Sequence, residues 1–311
     1  MKIKGIEELH FGVEDMEQAC RFLSDFGLKA DNSAVQDAKL YRTLNQSRLY
    51  LYDKGDRRLP NAFEAGSTLR TLVWGVEQAS DLDALTERLV DVQGYARDAD
   101  SVSCLDPNGM YLRFQLSTQV PVELTVPGIN QHGDIRRVDA PSPVYERGEP
   151  IGIGHAVFFV EDLDAVEAFY HEKLGFQVSD RYIGKGVFMR AGTEGHHHDL
   201  FLLKVPNKPA GLNHVAFTVR DIHEVIGGGM AMNRKDWSTF IGPGRHPISS
   251  AYFWYVNSPL GGAFEYYTND DYLTAAWQPR TLEHRLELFT EWAVEGGLDG
   301  NTRRQVVTQL A

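Results

Sequence analysis

The sequence predicts an α+β protein of two domains, each built from paired βαβββ modules. Three observations carry that expectation. A unit of apolar strand, acidic residue and helix recurs four times along the chain. Alternating apolar segments of strand length follow each unit. A Pro-rich, polar stretch then divides the four units into two pairs.

The clearest copies are GHAVFFVEDLDAVEAFYHEKLGF, residues 154–176, and NHVAFTVRDIHEVIGG, residues 213–228. In each, a short apolar strand carries a His, and an Asp stands seven positions later: His155 leads to Asp162, and His214 to Asp221. An acidic residue there sits where a helix begins. In the first copy Leu163, Val166, Phe169 and Tyr170 form one apolar helical stripe, which Gly175 closes.

Weaker copies occupy the first half. IEELHFGVEDMEQACRFLSDFGL places Asp15 seven residues after Glu8 and ends its helix at Gly27, and residues 70–89 read as strand, turn and helix. Strand-like text follows at 48–53, 110–116, 186–190 and 199–204.

These signals place an N-terminal domain at 1–118 and a linker at 119–150, which contains Pro121, Pro127, Pro141, Pro143 and Pro150. A C-terminal domain follows at 151–275, then a tail at 276–311. Within the tail, Leu282, Leu286, Phe289, Trp292 and Ala293 are spaced as one face of a helix over 279–298. That helix would pack back on the domain or on a neighbouring subunit.

Composition narrows the function classes. The 311 residues are 42% hydrophobic and 24% charged, an ordinary globular balance. A formal net charge of -12, with no Lys/Arg cluster, argues against nucleic acid as a partner. The two cysteines, Cys20 and Cys104, are too few for a disulfide framework. No signal-peptide core is visible at the N-terminus, and the longest apolar runs, such as 156–160, are too short to span a membrane. A cytoplasmic protein is expected.

Three residues stand out chemically. One His in an apolar strand is usually a satisfied core residue, but His155 and His214 hold equivalent positions of a repeated unit, and pseudo-symmetry brings such positions together. Glu265, in GGAFEYYTND, is a carboxylate among aromatics that needs a counter-charge. Two His and one carboxylate with open positions is the facial arrangement expected for non-haem Fe(II) enzymes.

Paired βαβββ modules with His, His and Glu on three strands resemble the vicinal oxygen chelate superfamily, which has the glyoxalase/bleomycin resistance/extradiol dioxygenase fold. Residues 153–270 resemble its type I extradiol ring-cleavage dioxygenases, the catechol 2,3-dioxygenase-like group. The group's signature is similar to Gly244-Arg245-His246 followed by Tyr255, Pro259, Gly261 and Glu265. Trp254 and Ser258 depart from its usual residues, which suggests a divergent substrate group.

The resemblance implies ring opening of a catechol-type substrate with O2 at an Fe(II) centre held by His155, His214 and Glu265, with Mn(II) as the alternative ion. It also implies catalytic roles for His198, His246 and Tyr255, although the run His196-His197-His198 leaves the acid/base histidine open. Alternation along a strand puts His196 and His198 on one face and His197 on the other. His196, Arg245, Tyr252, Trp254 and Asn257 are candidates to line the substrate pocket. The family's habit implies a homo-oligomer.

Aligned on the repeat, the first domain offers Glu8, Thr71 and Arg113 at the ligand positions, a set that repels a cation, and a Glu8–Arg113 ion pair is expected there. Two other classes remain as alternatives: a glyoxalase-type isomerase or hydrolase at another metal, and a non-catalytic small-molecule binding protein.

Overall fold

The protein is described by a computed structural model covering residues 1–33, 38–294 and 297. Its first sheet contains β1 (Ile3–Val13), β2 (Lys29–Asp31), β3 (Lys39–Arg42), β4 (Arg48–Asp53), β5 (Thr68–Val76), β6 (Ala96–Arg97), β7 (Ser101–Leu105) and β8 (Tyr111–Leu116). Helix α1 (Met16–Asp25) follows β1, and α2 (Ala79–Leu89) follows β5. The strand order is β2-β3-β4-β1-β5-β8-β7-β6, so two βαβββ modules meet where β1 and β5 pair antiparallel.

The second half repeats the plan. It contains β9 (Gly152–Phe159), β10 (Gln177–Tyr182), β11 (Gly186–Arg190), β12 (Gly195–His196), β13 (Leu200–Leu203), β14 (Gly211–Thr218), β15 (Thr239–Arg245), β16 (Tyr252–Asn257) and β17 (Ala263–Thr268). Helices α3 (Leu163–Ala168) and α4 (Ile222–Arg234) follow β9 and β14. The order β10-β11-β13-β9-β14-β17-β16-β15 matches the first sheet strand for strand.

The repeated Asp works as a helix start. Asp15, Asp162 and Asp221 accept the backbone N–H groups of Gln18, Ala165 and Glu224, each satisfying a donor at a helix N-terminus for about 1 kcal/mol. In the fourth unit Gln78 and Asp81 form a reciprocal capping box at α2. Helix α3 is shorter than its apolar stripe suggests: Phe169–Lys173 winds on as a π-helical turn, and Gly175 then takes positive φ.

Strand register confirms the pseudo-symmetry. His155 lies opposite Ala216, which pairs with Glu265, just as Glu8 lies opposite Val73, which pairs with Arg113. Likewise His214 faces Val157 and Thr71 faces His10. The Glu8–Arg113 ion pair does not form. Glu8 instead contacts Arg48 at 2.6 Å, His10 at 2.7 Å and the Gln115 amide at 2.9 Å. Arg48, on the neighbouring strand β4, reaches the carboxylate first.

Aromatic packing joins the halves. Phe22 meets Phe264 edge-on, while Phe26, just past α1, stacks on Tyr266 at 4.0 Å between ring centroids. Phe264 and Tyr266 flank Glu265 on β17 and point away from it, so burying them fixes the strand that carries the carboxylate.

The tail departs from expectation. Residues 279–298 do not form one helix. After β18 (Tyr272–Leu273), the described part runs through β19 (Arg280–Leu282), the single-turn α5 (Leu286–Phe289) and β20 (Trp292–Ala293). β19 and β20 add to opposite edges of the second sheet, so the segment crosses the open side of that domain. Residues 295–296 and 298–311 lie outside the described residues.

Candidate active site

His155 on β9, His214 on β14 and Glu265 on β17 occupy three adjacent strands, and all three are buried. Their inner atoms form a nearly equilateral triangle. The two Nε2 atoms are 3.3 Å apart, and Glu265 Oε2 lies 3.2 Å from His155 Nε2 and 3.3 Å from His214 Nε2.

Donors about 2.1 Å from a divalent ion stand about 3.0 Å apart at right angles and about 3.4 Å apart at tetrahedral angles, so the triangle fits one ion. Glu265 Oε2 is buried yet makes no well-formed hydrogen bond, an orphaned acceptor that a cation would satisfy. His155 Nδ1, across its ring, is likewise buried without a partner.

The surroundings prepare the donors. His214 Nδ1–H donates to Asn213 Oδ1 at 2.6 Å, which leaves the Nε2 lone pair free for a metal. Burial together with His155 lowers the His214 pKa, in spite of the Glu265 charge, and so favours the neutral ligand form. Burial alone would raise Glu265, but the two imidazoles outweigh it and hold the carboxyl below its usual range. Gly154 is required beside the site, since a Cβ there would lie 2.0 Å from Tyr267 Oη, and the Tyr267 ring packs 4.9 Å from that of His155.

His198, His246 and Tyr255 converge on the same centre. The His198 ring lies 4.1 Å from His155, and burial with four surrounding imidazoles pushes its pKa well down. His246 Nδ1–H donates to the Phe289 carbonyl at 2.8 Å, so its Nε2 accepts the Tyr255 O–H at 2.9 Å. Burial and the Glu265 charge raise the Tyr255 pKa well above normal and keep that proton in place.

These groups open into a cavity of about 650 Å³. Its walls are mainly apolar: Val157, Phe188, Phe201 and Leu203 on one side, Phe240, Ile241 and Ile248 on the other, with Leu286, Phe289 and Trp292 of the tail across it. None of the five residues expected to line it does so. Trp254 turns to the opposite face of β16 from Tyr255 and packs on α4, where a Cβ at Gly229 would fall 2.0 Å from the indole. Tyr252, on the same side as Trp254, borders a separate crevice with Arg136 and Arg220.

Asn257, at the exposed end of β16, binds Ser238. Arg245 pairs with Glu291 and His196 pairs with Asp270, so neither enters the cavity. Of the three consecutive histidines, His198 lines the cavity, His197 is fully buried behind it and His196 is exposed. Sequence reasoning missed Asn213, Tyr267 and the tail residues. Adjacency to His214 was the one available signal for Asn213.

The equivalent place in the first domain is a crevice of about 400 Å³ bordered by His10, Thr71, Tyr111 and Arg113. It brings together no cluster of metal-ligating side chains. Among the described residues, the His155, His214 and Glu265 group is the candidate metal site.

The chain resembles known proteins in sequence and in fold. Residues 152–266 match the model of the Glyoxalase/Bleomycin resistance protein/Dioxygenase superfamily. A relative from Cupriavidus necator, Metapyrocatechase 2, is 28% identical over 283 residues, covering 88% of this chain and 84% of the relative. The 3-methylcatechol 2,3-dioxygenase of Pseudomonas putida is 31% identical over 134 residues, covering 40% of this chain and 45% of its own length.

Solved structures share the fold. A Mn(II)-bound glyoxalase from Novosphingobium aromaticivorans superposes with a TM-score of 0.75 at 18% identity, covering 95% of this chain and 93% of its own. A catechol 2,3-dioxygenase superposes with a TM-score of 0.71 at 18% identity, covering 96% and 97%.

Proposed function

We propose that this chain is a metal-dependent extradiol dioxygenase that opens a catechol-type ring with O2. The observation that carries the reading is the His155, His214 and Glu265 triangle with His198, His246 and Tyr255 around it at the floor of one apolar cavity. The relatives named metapyrocatechase and catechol dioxygenase support it.

His155, His214 and Glu265 would hold iron(II), and Mn(II) suits the same N and O donors. Bound there, the ion supplies Lewis acidity for the diol oxygens and open positions for dioxygen. The chain's own residues do the rest. Tyr255 and His246 meet a substrate oxygen at the cavity floor and fix which ring edge turns inward. His198, neutral at working pH, is placed to take a substrate proton and return it to an oxygen released later. The phenyl and aliphatic walls exclude water from the reacting centre.

Among the described residues, no Lys or Arg lines the cavity. A neutral catechol bearing an alkyl or aryl substituent therefore fits better than a carboxylated one, whose charge would be desolvated without a partner. The test is to load air-free protein with Fe(II) and add catechols with O2 while following visible absorbance and oxygen. A yellow ring-opened product, one O2 consumed per ring and loss of both in His214→Ala are expected. Metal bound with no ring opened would instead favour isomerase or hydrolase chemistry.

A further inference from the structure

Behind His198 lies a chain of buried polar contacts that the reaction as described does not use. His197 Nδ1 is 3.1 Å from His198 Nδ1, and its other nitrogen, Nε2, is 2.9 Å from Asp180 Oδ2. His197 and Asp180 are both fully buried. The Asp180 carboxylate is closed on its far side by Arg280 of β19, whose backbone N–H donates to Oδ1 at 2.7 Å and whose guanidinium contacts both oxygens. A buried imidazole and carboxylate, backed by the partly exposed Arg280 guanidinium, leave each proton few places to go.

The proton positions follow from donor counting. An ionised carboxylate only accepts, so His197 must carry its proton on Nε2. Arg280 already neutralises Asp180, so a second cation at His197 would be buried without an anion of its own. Neutral His197 therefore presents a lone pair at Nδ1, and His198 must meet it with Nδ1–H. The remaining nitrogen of His198, Nε2, is then the unprotonated one on the cavity side.

We propose that Asp180, acting through His197, is a positioning residue that holds His198 as the Nδ1–H tautomer, so that it begins the reaction as a base. This rests on the extradiol reading of the site. In the proton transfer, one substrate hydroxyl proton passes to His198 Nε2, and the same proton later leaves it for an oxygen of the substrate, so none is gained or lost. Arg280 couples this arrangement to the tail. In Asp180→Asn, the Arg280 backbone N–H keeps the amide oxygen at the Oδ1 place, so the NH2 takes the Oδ2 place toward His197 and the guanidinium loses its contact there. That reverses both donors and leaves His198 protonated on Nε2.

The test is 15N NMR of histidine-labelled full-length protein loaded with Zn(II), a diamagnetic ion, with His198 assigned from His198→Gln. The expected result is protonated Nδ1 and unprotonated Nε2 at His198 in the wild type, exchanging roles in Asp180→Asn. With Fe(II) and a catechol, kcat of Asp180→Asn should fall by about tenfold to a hundredfold with KM little changed.

A wild-type His198 protonated on Nε2 overturns the proposal, and so does an Asp180→Asn protein in which neither tautomer nor kcat changes. That wild-type result counts against the proposal even if the variant does not fold. It also does so if the chain opens no catechol, in which case the extradiol reading fails separately.

Discussion

Asn213 shows how much of the site depends on a single neighbouring side chain. Its amide oxygen accepts the His214 Nδ1–H hydrogen bond and turns Nε2 toward Glu265. Asn213→Ala is expected to weaken metal binding about tenfold to a hundredfold, as loss of an outer hydrogen bond to a ligand does, and metal titration with a competing chelator would measure it. Tyr255→Phe removes the hydroxyl that meets His246 Nε2 while keeping the ring. Steady-state kinetics should show kcat about a hundredfold lower with metal content unchanged.

The six side chains that converge at the cavity floor were legible as residues because a repeat and a spaced motif marked them. The pocket walls were not. Side chains alternate along β16, so Tyr255 facing the cavity already sends Trp254 and Tyr252 the other way. Alternation misled at residues 196–198, because the chain bends after the two-residue strand β12 and His197 turns into the interior.

At the scale of elements, the modules were readable and the tail was not. Strand text at 48–53 and 186–190 corresponds to β4 and β11, and three Asp residues set the helix starts. The tail's apolar spacing has another cause. Leu286, Phe289 and Trp292 cover a cavity rather than form a helical stripe, and the Phe289 carbonyl fixes His246. Removing residues 285–311 retains Arg280 on Asp180 but opens the cavity. KM for an alkylcatechol should rise about tenfold, with far-ultraviolet circular dichroism and metal affinity preserved. Unchanged KM would mean the tail is not part of the substrate wall.

In the whole molecule, the two halves are coupled through buried groups. Phe26 stacked on Tyr266 links α1 of the first half to β17 of the second. Phe26→Ala should cost about 3–5 kcal/mol in urea unfolding, the range for a deleted core aromatic.

Asp106, after β7, accepts the Tyr170 hydroxyl from the second half at 3.1 Å. Burial pushes its carboxyl from 3.8 up to about 6 in spite of its donors. With the folded pKa above the unfolded one, the folded chain holds the extra proton between those values. Its stabilising contribution is full below pH 3.8 and is lost as pH rises through about 6. Asp106→Asn keeps an acceptor but cannot ionise. Its stability relative to wild type should therefore improve by about 2 kcal/mol from pH 4 to pH 7, measured by urea unfolding across that range.

The central claim is that the second half holds a metal-dependent ring-opening centre on His155, His214 and Glu265. Its most direct test is to give Fe(II)-loaded protein an alkylcatechol under 18O2 and weigh the product by mass spectrometry. The account predicts a ring-opened product carrying both labelled atoms, cleaved beside the diol and absent in Glu265→Ala. Intact catechol after turnover with bound iron, or cleavage between the two hydroxyls, would contradict it.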